Sequence, residues 1–197
     1  MNLLNLFRPS AKVGMKENVE YQLRDSDGNV KPIFQPNTLY KWLLKKDLAP
    51  RNLTSFLFGH FDTKMVISNL ITTVGVSGIA ARINGSGSPA AYTYIALGTG
   101  TTGAADADTQ LEAEVTTSGG ARASSTVSLQ TTDTAGDTAQ LQVTFSFTTG
   151  GTFAVTESGV LNAASTGTLL ARQVFSAINV ASGDSLQVTW KFDVDTA

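Results

Sequence analysis

Two stretches of this chain alternate strictly between apolar and polar side chains. Leu141, Val143, Phe145 and Phe147 are separated by Gln142, Thr144 and Ser146, and Leu186, Val188, Trp190, Phe192 and Val194 by Gln187, Thr189, Lys191 and Asp193. A period of two belongs to a strand with one buried and one wet face, and no helix can place such a set on one side. From Ala121 onward the pattern and its Gly, Ser, Asn and Asp punctuation predict strands at about 121–131, 138–148, 152–161, 168–174 and 185–194. Their short connections predict antiparallel neighbours. Asn179 to Asp184 reads as a turn, and Gly159 inside a strand marks a bulge or a close backbone approach.

Earlier in the chain, Val19, Tyr21 and Leu23 alternate with Glu20, Gln22 and Arg24 ahead of Asp25–Asn29, which predicts a hairpin with Gly28 at positive φ. Pro32 puts the returning strand at an edge. Between Pro36 and Pro50 the period changes: Leu39, Trp42 and Leu43 share a face, capped by Asn37 or Thr38, so a short helix is expected. Arg51 to Phe61 has no clean period. Lys64 to Thr73 reads as one β-branched strand, Val76 to Ile83 as a short helix ending at Asn84-Gly85, and Ala91 to Leu97 as a strand. Asp106 or Asp108 is expected to cap a helical turn through Leu111, Ala113 and Val115.

The expected fold is therefore mainly β: an antiparallel β-sandwich, jelly-roll-like, with short helices and an extended N-terminal arm. The arm is placed at 1–63, with the hairpin and short helix, and the sandwich body at 64–197. Charge divides along the same line. Up to Lys64 there are ten Lys plus Arg against six Asp plus Glu, and beyond it four against ten. A basic arm on an acidic body is suited to an acidic partner surface, but the arm has no dense basic run or stacking module of the kind that binds nucleic acid. Charged residues make up 15% of the chain, against about 25% in typical soluble domains, so few charges need desolvating when this surface packs on a neighbour.

Chemistry is hard to find. There is no cysteine, which rules out disulfides and Cys-based metal sites. His60 is the single histidine, so a His/Cys first shell would need three copies meeting on a symmetry axis. Gly98 to Gly103, GTGTTG, lacks the Gly-Lys-Ser/Thr of a phosphate loop and reads as a flexible turn after a strand. Asp25 to Asn29 has its glycine fourth and Pro36 twelfth, which does not fit a calcium loop. Asp106, Asp108, Glu112 and Glu114 read as caps and solvated acids rather than ligands of a hard cation. No Gly-x-Ser-x-Gly elbow serves a triad. A non-enzyme without cofactor or metal is expected. Met1 to Phe7 is too short and too weakly charged for a signal peptide, and no window is long and apolar enough for a membrane helix.

Several segments together resemble a known group. These are YQLRDSDGNV, NLITTVGVSGIAARI, YIALGTGTTGAADADTQLEAEV, TESGVLNAASTGTLLARQVF and INVASGDSLQVTWKF. They are similar to small virion structural proteins of tailed bacteriophages, of the head-decoration, collar or tail-appendage type. The C-terminal half resembles tail-collar fibre proteins through Thr156–Leu161 and Leu169–Arg172. Pro36 to Phe61 departs from the pattern as an apparent insertion. The resemblance implies a structural protein of the virion, made in the host bacterial cytoplasm, forming a homo-oligomer, a trimer, and contacting capsid, neck or tail proteins. The arm would supply the contact through Phe7, Tyr40, Trp42, Lys45, Lys46, Phe56 and Phe58. A receptor- or glycan-binding module is the alternative, with Tyr92, Tyr94 and Trp190 available. Glu157 and Arg172 either pair across neighbouring strands or are separately solvated.

Overall fold

The computed structural model describes residues 13–39, 59–87, 89–148 and 153–196. Tyr40, Trp42, Lys45, Lys46, Phe56 and Phe58, most of the helix expected between Pro36 and Pro50, and Met1–Lys12 with Phe7 lie outside them.

The described residues form a β-sandwich. Its first sheet is built around β1 (Val13–Arg24), which pairs antiparallel with β13 (Ser185–Thr196) from Val13 opposite Thr196 to Arg24 opposite Ser185. Across this sheet the order is β2 (Val30–Lys31), β1, β13, β10 (Thr138–Ser146) and β9 (Thr126–Gln130), with β5 (Met65–Ser68) also pairing with β1. The second sheet runs β6 (Leu70–Ile71), β12 (Leu169–Val180), β11 (Phe153–Leu161), β7 (Tyr94–Gly98) and β8 (Ala123–Ser124). A two-stranded ribbon, β3 (Ile33–Pro36) with β4 (Gly59–Asp62), leads out to residues 40–58 and back.

Alternation explains the core. Val19, Tyr21, Leu23, Val143, Phe145, Leu186, Val188 and Trp190 point inward from the first sheet and meet Ile95, Leu97, Val155, Val160 and Ile178 of the second. The Tyr21 ring lies 4.3 Å from that of Phe175, centroid to centroid. Its hydroxyl shares a 2.6 Å hydrogen bond with Ser158 Oγ, and burial pushes the phenol well above its ordinary pKa. Val194 departs from the expected buried face and is 48% exposed, because it lies near the end of the first sheet.

The hairpin turn forms as expected. Gly28 has φ 84°, and the Asp25 carboxylate accepts the N–H groups of Asp27 and Asn29 at 2.9 Å each. Bonds from Asn29 foremost hold that carboxyl below its usual range. Pro32 ends β2 at the sheet edge.

Other elements differ from expectation for one physical reason: the chain changes sheets. Lys64 to Thr73 is two strands, since β5 pairs with β1 and β6 with β12, with Asn69 as the crossing residue. Residues 121–131 split likewise at Ser125, whose N–H bonds Thr93 O at 2.7 Å. The strand after Ala91 starts only at Tyr94. β12 runs on to Val180, which shortens the expected turn to Ala181–Asp184, where the buried Asp184 carboxylate accepts from Ala181 N–H and Lys31. Antiparallel neighbours do follow the short links β9–β10 and β11–β12, but the links from β10 to β11 and from β12 to β13 cross between sheets.

The helix α1 (Thr73–Asn84) is capped by Thr72 Oγ1, which accepts from Gly75 N–H, and ends at the left-handed Gly85. Gly75 lies inside the helix instead of flanking it. A Cβ there would sit 2.2 Å from Leu170 O, so glycine is what lets α1 pack directly on β12.

β1 comes from the segment assigned to the arm, yet it is a central strand. Removing residues 1–12 is expected to leave a cooperative thermal melt followed by circular dichroism. Removing residues 1–61 takes out β1, exposes one edge of β13 along its whole length and is expected to abolish the melt. A cooperatively folded 62–197 fragment would show that β1 is dispensable.

Candidate functional site

β11 is buried at seven consecutive positions, Val155–Leu161, where a strand with one wet face would alternate. The cause is residues 99–115, which cross the outer face of the second sheet without forming the expected helical turn. Leu111 closes a second apolar cluster there with Ala96, Leu161 and Leu169. A Cβ on Gly159 would lie 2.7 Å from Leu111 Cδ1, which accounts for a glycine in mid-strand; bulges stand on either side of it, at Val155/Glu157 and Val160/Leu161.

Glu157 and Arg172 fasten this crossing. Arg172 stands opposite Gly159 across β11 and β12, so it meets Glu157 on the diagonal. Their side chains are 0% and 3% exposed, with Arg172 Nη2 2.8 Å from Glu157 Oε2. Nε donates to the same oxygen at 2.8 Å. Glu157 also accepts three backbone N–H groups: Gly100 at 3.1 Å and Ala113 at 2.7 Å on Oε1, and Glu112 at 3.1 Å on Oε2. A Cβ on Gly98 would lie 2.3 Å from Oε1, and one on Gly100 2.6 Å from it. Gly98 and Gly100 of GTGTTG thus make room for a buried carboxylate; the stretch is a fixed cradle, not a free turn.

Arg172 is satisfied on its other side by the acids that looked like caps. Nη1 donates to Asp108 Oδ2 at 2.8 Å and Nη2 to Thr102 O at 3.1 Å, with Glu112 Oε2 at 3.6 Å. Burial pushes the Asp108 carboxyl up, but the Ala105 N–H and the Arg172 guanidinium outweigh it and hold it below the usual range. Glu112 is lowered chiefly by the backbone N–H of Thr102 and then by its hydroxyl. Burial disfavours the Arg172 cation, and its bonds to Asp108 and Glu157 more than offset this. Glu114 is held by Arg122, bidentate at 2.9 and 2.7 Å. Arg122 also donates to Ala163 O and Thr166 O, tying the crossing to the β11–β12 loop.

A cavity of about 300 Å³ opens beside Arg172, lined by Thr102, Asp108, Gln110 and Glu112 among others. Its charged groups are already paired with one another, which makes it the outer side of a staple. A second groove of about 360 Å³ lies between β3, β5 and β12, lined by Pro36, Val66, Ile67 and Phe175 among others. It borders the ribbon that leads to residues 40–58, and Phe61 on that ribbon is 57% exposed.

The expected interface residues Phe7, Tyr40, Trp42, Lys45, Lys46, Phe56 and Phe58 lie outside the described residues. His60 is exposed on β4. Among the aromatics suited to a glycan, Trp190 is fully buried in the core, and Tyr92 and Tyr94 are half-buried. Sequence reasoning left Glu157 and Arg172 as either paired or separately solvated, of which the structure shows the pair, and it missed Gly100, Asp108, Glu112 and Ala113 as partners. The available signal was the pairing of Gly-x-Gly with two nearby acid pairs, Asp106/Asp108 and Glu112/Glu114, in one stretch.

Replacing Arg172 with Met strands a buried carboxylate and is expected to cost about 3–5 kcal/mol in urea denaturation. Replacing Glu157 with Leu as well is not expected to restore stability, because three backbone N–H groups lose their acceptor at about 1–3 kcal/mol each. Recovery in the double variant would mean that the pair is an ordinary buried ion pair.

Both Asp108 and Glu112 have lowered folded-state pKa values. Their contribution is complete above the ordinary carboxylate range, at about pH 4, and is lost as pH falls through the lowered values. Denaturation midpoints are expected to hold down to about pH 5 and drop towards pH 3. The drop should be shallower in Asp108→Asn/Glu112→Gln.

A family model described as Podophage GP4 fiber I protein gp80 matches residues 80–191, more than half of the chain. The match begins within α1 and contains the whole staple. No curated protein and no solved structure matches the chain.

Proposed function

Since the chain belongs to the podophage GP4 fibre I protein gp80 family, we propose that it is a non-enzymatic structural component of a tailed-phage virion, which oligomerises and attaches to capsid, neck or tail through its N-terminal residues. The observation that carries this reading is the family match over the stapled body. In the body, the buried carboxylate, arginine and neighbouring acids are spent on holding a loop, which suits a scaffold.

Attachment is assigned to residues 1–12 and 40–58, which carry Phe7, Tyr40, Trp42, Phe56 and Phe58. The second of these leaves and returns through the β3–β4 ribbon, beside a groove lined by Val66 and Phe175. Phe7, Tyr40, Trp42, Phe56 and Phe58 are the aromatic anchors, each worth about 2 kcal/mol or more where an interface buries it. Lys45 and Lys46 add positive charge toward an acidic partner. Copies associate as a trimer in this reading, and α1 offers an apolar face for association, where Val76, Ala80 and Ile83 recur and Ile83 is 83% exposed.

The test is incorporation. Trp42→Ala/Phe56→Ala/Phe58→Ala is expected to keep the wild-type melting temperature while its copy number in purified particles falls at least about tenfold, the loss one such anchor implies. Normal incorporation of the folded triple variant would sink the attachment role. Absence of the wild-type chain from particles would sink the virion reading itself.

A further inference from the structure

The first sheet ends at β9, and among the described residues no strand covers this edge. β10 is its strand partner, and its other side pairs with no strand among the described residues. All five positions, Thr126-Val127-Ser128-Leu129-Gln130, are exposed, and the strand carries neither a charge nor a proline. Soluble proteins usually guard such an edge with lysine, proline or a bulge, because its free N–H and C=O groups template another strand. The outermost strands elsewhere differ from β9. β2, β6 and β8 have two residues each, Pro32 stops β2, and β5 follows the Lys64–Glu20 ion pair.

Val127 and Leu129 stand opposite Leu141 and Ala139, so they belong to the face of the sheet that builds the core. At 56% and 71% exposed, they are the part of that face the second sheet leaves uncovered. The turn beyond them is closed by the Asp137 carboxylate, which accepts the N–H groups of Thr132, Asp133 and Thr134. The edge is therefore held in shape before anything docks.

β9 is also its own complement. Laid antiparallel on a second β9 about Ser128, Val127 of one copy falls opposite Leu129 of the other, Thr126 opposite Gln130, and Ser128 opposite Ser128. The two-residue side-chain period keeps both apolar pairs on the core-side face, and no like charges meet. A two-fold axis normal to the sheet generates this pairing and closes it.

We propose that β9 is the surface on which a second copy of this chain docks, joining the two first sheets edge to edge. Five residues bury less than the roughly 800 Å² per partner of a standard interface. The contact therefore acts between bodies brought together in an assembly, where effective concentrations reach about the millimolar range, and, being two-fold, it joins copies from different trimers rather than copies within one. It concerns the body alone and holds wherever the N-terminal residues attach.

The chain contains no cysteine, so trapping by single introduced cysteines is clean. Residues directly opposite in an antiparallel pair have Cα atoms about 4.5–5.5 Å apart, within the range a disulfide spans. Full-length Ser128→Cys, oxidised at about millimolar protein, is expected to dimerise at least about tenfold faster than Ser182→Cys, an exposed control on a distant turn. Thr126→Cys and Gln130→Cys are expected to link to each other when mixed and to stay at the control rate alone. Adding Leu129→Lys to Ser128→Cys should return it to the control rate through like charges at the contact. A control-level rate for Ser128→Cys overturns the inference, as does linking that Leu129→Lys leaves unchanged or rapid linking of Thr126→Cys alone. Each of these outcomes leaves particle incorporation, and with it the fibre reading, untouched.

Discussion

A carboxylate with no exposed surface organises the outer half of this fold. An arginine and three backbone N–H groups converge on the two oxygens of Glu157. Those donors come from β12 and from both arms of residues 99–115, so the charge cannot be satisfied until the crossing is in place. The same requirement fixes Gly98 and Gly100, where any side chain would occupy the carboxylate's space. A buried ion pair is by itself weak evidence of stabilisation. Here the backbone donors make the acid part of the loop's own hydrogen-bonding, so loss of either partner exposes more than one unpaired group.

The staple turns a two-layer sandwich into something closer to three layers on one side. The second sheet is covered inside by the first and outside by Leu111 and its neighbours, and α1 packs on β12 through Gly75. Among the described residues the first sheet has no comparable cover at its β9 end. The two sheets therefore differ in kind: the outer face of the second is covered by a loop, while the β9 edge of the first presents exposed backbone and apolar side chains. A surface poor in charge packs against a neighbour at low desolvation cost.

Legibility in the sequence followed the range of the interactions. The strands at 138–148 and 185–194, the Asp25–Asn29 turn and the end of α1 at Gly85 were readable because alternation, Asx turns and left-handed glycine are local. Lys64–Thr73 was misread because a continuous β-branched run looks the same whether it serves one sheet or crosses between two. Asp106–Val115 was misread because Asp and Leu spacing suited a capped turn, while the force that shapes it comes from Glu157 and Arg172, more than forty residues away.

What the sequence determined by itself was the class of structure: period two, frequent turn residues and the absence of cysteine leave an antiparallel β-domain held without disulfides. It also marked Glu157 and Arg172 as neighbours on adjacent strands. Only the tertiary structure decided that β1 belongs at the centre of the body, because its pairing with β13 joins residues near opposite ends of the chain. Only the tertiary structure decided, too, that the glycines and acids after β7 form one buried network and that β9 is left bare. Pairing and burial are properties of which segments meet, and local periodicity carries no information about partners distant in the chain.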